Sequence, residues 1–172
     1  MFGIIYSRME CEFNGKKIKY DEGKFWVWRE KWGKLKLKNP YWYELKGKFN
    51  NKTGYTALQI NCRYFYYHRV VYFVHNENWN IYDSSMDNQI DHIDRDRSNN
   101  NIENLRVVTH SQNMWNQDCK GYYFHKPSGK YVAQIVVNRK RNLLGCFESE
   151  DDARNAYLNA KPIHHHIPQA NH

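Results

Sequence analysis

None of the four cysteines, Cys11, Cys62, Cys119 and Cys146, forms a CxxC pair, which argues against a zinc knuckle. Four scattered thiols in 172 residues also make no dense disulfide framework. Their simplest role is as small buried hydrophobes in a reducing compartment. Long apolar runs are missing too. The longest, Tyr64 to Val74, is interrupted by His68 and Arg69 and is far too short to span a bilayer. The opening MFGIIYSRMECEFNGKK lacks a basic stretch followed by an apolar core, so no signal peptide is expected. Together these absences imply an intracellular, cytoplasmic protein with no membrane partner.

Acids are in deficit. There are 18 Asp and Glu against 26 Lys and Arg, giving a formal charge of +8 and a pI near 9.2. Aromatic residues are plentiful, with 14 Tyr and 6 Trp. Cations for phosphates and flat rings for sugars or bases suit a polyanionic partner. Composition alone does not single out DNA, because ribosomal proteins, RNA binders and basic secreted proteins share it.

Residues 1–67 read as a basic, aromatic segment of short antiparallel strands. Lys24 to Arg29 alternates bulky and polar groups, and so does Tyr55 to Asn61, with Arg63 to Tyr67 placed to pair with it. Gly33, Gly47 and Gly54 punctuate the segment, and Asn39-Pro40 marks a turn. The many lysines suggest a sheet laid on DNA. His68-Arg69 then leads into a short helix whose apolar side is Val70, Val71, Phe73 and Val74. Residues 76–87 are polar and read as a loop.

The stretch from Gln89 to Asn116 carries the chemistry. Ile90 to His92 has the pattern of a strand end, a loop rich in Asn and Asp follows, and Leu105 to Val108 reads as a second strand. Thr109 with Gln112 three residues later matches a capping box, and the helix it opens puts Asn113 and Asn116 on one face. Folded as a hairpin with the helix across it, the unit can bring Asp91 and Asn113 close together. A carboxylate and an amide oxygen are hard ligands that suit Mg²⁺ or Mn²⁺. Imidazole as a group titrates near neutral pH, which suits His92 to taking a proton from water. Asn104 has no useful acid–base chemistry, but its amide can clamp the loop and hold His92 in orientation.

DHIDRDRSNNNIENLRVVTHSQNMWN resembles the HNH endonuclease motif in its zinc-free, homing-type form, and the likeness extends upstream to the His68-Arg69 pair. The resemblance implies a ββα-metal core over residues 68–118. It implies that Asp91 and Asn113 ligate one Mg²⁺ or Mn²⁺ per active site, with no structural zinc. It also implies that His92 is the general base and that Asn104 braces the motif. Asn113 stands where the family name has its final His, as in a recognised subgroup, and His110 is off register.

Residues 119–162 form a separate pattern. Three short strands, Tyr122 to His125, Tyr131 to Val137 and Asn142 to Phe147, are joined by turns at Pro127-Ser128-Gly129 and Asn138-Arg139-Lys140. Ser149 caps a helix with an Ala153, Ala156, Tyr157, Ala160 stripe, and Pro162 is expected to stop it. This stretch resembles the Apetala-type, or ethylene-response-factor-type, DNA-binding domain. The resemblance places Tyr123, His125, Gln134, Val136, Arg141 and Leu143 on the DNA-facing side, while Arg139, Lys140 and Arg141 are suited to phosphates. Plant relatives hold Arg or Trp at several of these places, so the docking mode carries over and the target sequence does not. The tail, residues 163–172, reads as a disordered end.

The expectation is thus an α+β protein: N-terminal antiparallel strands leading into a ββα-metal HNH core, then a small three-stranded sheet plus helix. Its expected activity is site-preferring, homing-type hydrolysis of double-stranded DNA, by nicking if the protein is a monomer. The alternative is a non-catalytic DNA-binding regulator derived from such a nuclease. Monomer and homodimer remain open at this level.

Overall fold

A computed structural model describes residues 9–76, 78–137 and 139–169. Residues 1–8 of the opening, Asn138 of the expected turn and residues 170–172 of the tail lie outside the described residues. The chain divides into two compact units, with the boundary between Val107 and Val108.

The first unit opens with an antiparallel meander of β1 (Met9–Phe13), β2 (Lys16–Asp21), β3 (Lys24–Trp32) and β4 (Leu35–Leu45), in that order across the sheet. Asn14 and Gly15 join β1 to β2 with φ of 48° and 70°. Both central residues are left-handed, the conformation that keeps a two-residue hairpin in step with the strand twist. Alternation then sorts the side chains. Ile18, Tyr20, Phe25 and Val27 are buried, and their neighbours Lys17, Lys19, Trp26 and Trp28 take the other face.

Asn39-Pro40 is no turn between strands. It lies inside β4, in a bulge where the register with β3 slips between Arg29 and Lys31. β4 is an edge strand, so a residue without an N–H is tolerated there. The chain reverses instead at Gly33-Lys34, where Trp32 pairs with Leu35.

A second antiparallel sheet holds β5 (Lys48–Asn50), β6 (Tyr55–Ile60) and β7 (Arg63–Tyr66), and β7 runs directly into α1 (Tyr67–His75). β8 (Gln89–His92) pairs with β9 (Leu105–Val108), and a single 3-10 turn, Ile102–Asn104, precedes β9. Phe13, Ile18 and Phe25 of the first sheet, Leu58 and Ile60 of the second, Val70 and Val71 of α1, Ile90 of β8 and Leu105 of β9 share one core. Each such aliphatic side chain contributes about 1.5–3 kcal/mol when fully buried.

The second unit contains α2 (His110–Asn116), a sheet ordered β10 (Tyr122–His125), β11 (Lys130–Val137) and β12 (Lys140–Phe147), and α3 (Glu150–His164). Both helices begin with side-chain caps. Thr109 and Gln112 close a full capping box, and Ser149 accepts from the Asp152 amide. Tyr157 and Ala160 of α3 pack with Ile135, Val137 and Leu144 of the sheet. The helix does not stop at Pro162. It continues to His164, and the His165 amide donates to the Lys161 carbonyl at 2.8 Å. A proline this close to the end removes one backbone bond and leaves the preceding turns intact.

The protein is therefore mixed α+β, with antiparallel sheets and few helices. No helix among the described residues is long and apolar enough to cross a membrane.

Gly121 leads into β10 at φ +75°, and a Cβ there would lie 2.0 Å from the Tyr157 ring. Gly121→Ala should destabilise the second unit by about 2–4 kcal/mol, from left-handed strain plus overpacking. Urea unfolding would measure this, and a loss below about 1 kcal/mol would mean that Tyr157 yields at little cost.

Candidate active site

The end of β8 places three consecutive residues, Ile90, Asp91 and His92, out of solvent. Ile90 joins the core, and the two polar residues each meet a specific partner. Arg106 Nε and Nη2 donate to Asp91 Oδ2 at 2.9 and 2.8 Å. The side chains of this pair are only 6% and 8% exposed. Removing two charges from water is costly, and here each compensates the other through charge-assisted hydrogen bonds.

His92 sits among rings. His68 lies 5.0 Å away at 70°, and Tyr55 is 6.1 Å away. His92 Nε2 donates to the Asn100 side-chain oxygen at 3.2 Å, while the Asn100 amide nitrogen donates to the Ser98 carbonyl. Burial holds the His92 pKa below the ordinary imidazole value, against the opposing pull of the Asn100 bond and nearby aspartates. His68 is pushed down further, to about 3, by burial first and then by the neighbouring His92 and Arg69. Both rings are neutral at pH 7, and a neutral imidazole is the form that can accept a proton.

The loop between the strands is closed by side-chain amides. Asn104 Nδ2 donates to Asp94 Oδ1 and to the Asn99 carbonyl at 2.9 and 2.8 Å, and its oxygen accepts from the Asp94 amide at 3.0 Å. The Asn104 carbonyl accepts from Ile93 at 2.9 Å. Asn104 therefore ties the loop to itself. None of these bonds reaches the His92 ring, where the contacting amide is that of Asn100.

The His68-Arg69 pair supports β8 from behind. His68 packs on the His92 ring, and Arg69 donates to the carbonyls of Ile81, Asp83 and Asn88. The polar stretch before β8 is thereby pinned onto α1. Asn113 lies on α2, in the second unit, while Asp91, His92 and Asn104 lie in the first.

Residues 65–115 match the family described as HNH endonuclease. The matched stretch includes Asp91, His92, Asn104 and Asn113, together with His68, Arg69, Asn100 and Arg106. It covers just under a third of the chain and supports an HNH nuclease acting on DNA. No match was found among curated proteins or among solved structures.

HNH nucleases generally use a divalent metal ion. Among the described residues there is no cluster of three or more His, Cys, Asp or Glu that could hold one. A single carboxylate with amide oxygens is a sparse, hard donor set. It fits an ion that takes one or two protein oxygens and keeps several waters, and it does not fit a four-ligand zinc site.

In the second unit, α3 occupies one face of the β10–β12 sheet. Gln134 lies opposite Leu143, and Val136 opposite Arg141. Tyr123, Val136 and Leu143 are large exposed apolar groups, and His125, Lys140 and Arg141 are exposed beside them. Arg139 occupies the β11–β12 turn at φ +63°. A cleft of about 880 Å³ opens here, lined by Tyr123, Gln134, Val136 and Arg139 together with Met114 and Trp115 of α2. Trp115 stacks on His165 at 4.6 Å and 4°, and His165 Nε2 donates to the Val136 carbonyl at 2.9 Å. The tail just beyond α3 thus has defined contacts on this unit.

Sequence reasoning missed Arg106 and Asn100. Arg106 reads as one polar residue in an apolar strand, and Asn100 is one of three consecutive asparagines, so only the fold distinguishes them.

Two measurements probe this arrangement. Arg106→Ala leaves a buried carboxylate without its cation and should lower stability by about 3–5 kcal/mol in chemical unfolding. A loss under about 1 kcal/mol would show that water reaches Asp91. His68 binds a proton in the unfolded chain below pH 6.5 but in the folded chain only near pH 3. It therefore contributes stability that is full above pH 6.5 and falls with pH, at up to about 1.4 kcal/mol per unit, down to about 3. His68→Phe should flatten stability across that window, and an unchanged slope would remove His68 as its source.

Proposed function

We propose that the chain is a site-preferring, homing-type HNH endonuclease that nicks duplex DNA with one Mg²⁺ or Mn²⁺ per active site. The observation that carries this reading is the buried His92, its pKa lowered by burial, beside an Asp91 carboxylate that Arg106 grips through two hydrogen bonds, inside the stretch that matches the HNH family. Asp91 and Asn113 are assigned as the metal ligands from the motif alone. The ion, when bound, supplies positive charge to the scissile phosphate and leaving oxygen.

His92 takes the proton from a water whose oxygen attacks phosphorus. The P–O3′ bond breaks, the 3′ oxygen is protonated from solvent, and the products are a 5′-phosphate and a 3′-hydroxyl. Asn100, through its bond to Nε2, sets the ring orientation that this transfer needs. Asn104 keeps the intervening loop closed. Arg106 already supplies one positive charge at Asp91, so a divalent ion is favoured there when the phosphates of DNA add negative charge to the site.

Residues 119–162 form the DNA-reading module in this proposal, through Tyr123, His125, Gln134, Arg139, Lys140 and Arg141. Its support is the exposed sheet face opposite α3 and the basic β11–β12 turn. In this proposal the protein works inside the cell, in the cytoplasm, on double-stranded DNA.

A supercoiled plasmid carrying DNA from around the gene should become open circles with Mg²⁺ or Mn²⁺ and stay intact in EDTA. His92→Ala should lower the rate at least about a hundredfold while binding DNA normally. Cutting by that variant at the parent rate would remove His92 from the chemistry. DNA binding with no metal-dependent cutting, at a substrate containing the site, would replace the nuclease with a regulator. Asn100→Ala should lower kcat about tenfold with KM unchanged, and an equal loss in KM would assign Asn100 to substrate binding instead.

A further inference from the structure

The positive charge of the chain is unevenly spread. Residues 29–41 hold five cations, Arg29, Lys31, Lys34, Lys36 and Lys38, against one acid, Glu30, a net +4 of the chain's formal +8. They form the far half of the β3–β4 hairpin. The ladder between β2 and β3 ends at Val27, and beyond it β3 pairs with β4 alone among the described residues. Residues 30–36 and 38–41 are exposed throughout. The segment is a two-stranded ribbon that continues past the sheet.

The flat face of the same sheet differs. Its lysines are matched by acids, Lys17 with Glu10 at 3.0 Å and Lys19 with Asp21 at 3.3 Å. They also lie against tryptophans, Lys19 being 4.9 Å from the Trp26 ring. The ribbon lysines have no such neutralisation. No ion pair within the described residues involves Lys31, Lys34, Lys36 or Lys38. Lys31 lies directly opposite Lys36, a like-charge pairing that opposes hairpin formation and that a polyanion relieves. At the tip, Trp32 and Leu35 flank the Gly33-Lys34 turn and are 64% and 74% exposed.

We propose that residues 29–41 are a DNA-binding arm that lies in the major groove of the duplex, with the lysines on phosphates of the groove walls and Trp32 and Leu35 against base edges at its floor. A two-stranded ribbon fits that groove of B-DNA, and apolar side chains pack there on thymine methyls. The sequence suggested a sheet laid on DNA, and the charge distribution selects the far half of its β3–β4 hairpin as the part that meets it. The inference rests on the reading that the chain acts on duplex DNA.

The test is binding of the full chain to a labelled 30-base-pair duplex, followed by fluorescence anisotropy in EDTA from 50 to 200 mM salt. The variant Lys31→Ala, Lys34→Ala, Lys36→Ala, Lys38→Ala should make the slope of log K against log salt shallower by about 3 to 4. Trp32→Ala should leave the slope unchanged and raise Kd about tenfold. If the fourfold variant loses its circular dichroism, Lys34→Ala with Lys38→Ala should give about half the change in slope. A folded variant whose slope stays within one unit of the parent overturns the arm. So does duplex RNA competing as well as DNA, because its major groove is too narrow and deep for a ribbon. Because EDTA separates binding from cutting, a shallower slope without metal-dependent cleavage keeps the arm and discards the nuclease. Cleavage that persists with an unchanged slope does the reverse.

Discussion

Asp91 and Arg106 lie on opposite strands of the β8–β9 hairpin, both nearly out of water, and neither charge could be buried there alone. Their pairing is the constraint around which the candidate site is organised. It locks two short strands whose four residues each would hold poorly by backbone bonds alone. It gives a buried carboxylate two charge-assisted hydrogen bonds. It also fixes the backbone that carries His92, the next residue, into a ring cluster that strips its water and keeps it unprotonated.

The elements around the hairpin have matching roles. α1 presents His68 to the His92 ring and sends Arg69 back to three carbonyls of the stretch before β8. The loop after β8 has little hydrophobic anchorage and is closed by Asn104, Asn99 and Asp94 bonding one another. Apolar burial by Ile90 and Leu105 holds the hairpin to the core, while polar bonds shape what it displays. A site of this kind tolerates little error, since each buried polar group needs its partner.

Charge is handled differently at the periphery. The outer face of the first sheet pairs its lysines with acids and tryptophans, which suits a surface in water. Among the described residues, Lys31, Lys34, Lys36 and Lys38 of the β3–β4 ribbon form no ion pair, and Lys31 is set against Lys36. In the second unit, the sheet face away from α3 combines exposed Tyr123, Val136 and Leu143 with a basic turn. Protein and nucleic acid meet most readily where cations lack internal partners, because the released counterions then favour binding.

Much of the fold was legible because periodicity and capping act over a few residues. Alternation marked β3 and β6, Arg63 onward was placed to pair with β6, the Thr109–Gln112 capping box opened α2, and Ser149 opened α3, all as the structure has them. Two local rules failed where context outweighs them: Asn39-Pro40 sits within an edge strand, and Pro162 lies inside the last turn of a helix. The sequence by itself also determined the spacing of Asp91, His92, Asn104 and Asn113, and with it the likeness to HNH nucleases. Only the tertiary structure decided that Arg106 meets Asp91, that Asn100 meets His92, and that the basic charge gathers on a protruding ribbon. Those facts depend on which strands pair and in what register, and pairing across fifteen residues leaves no periodic mark on the chain.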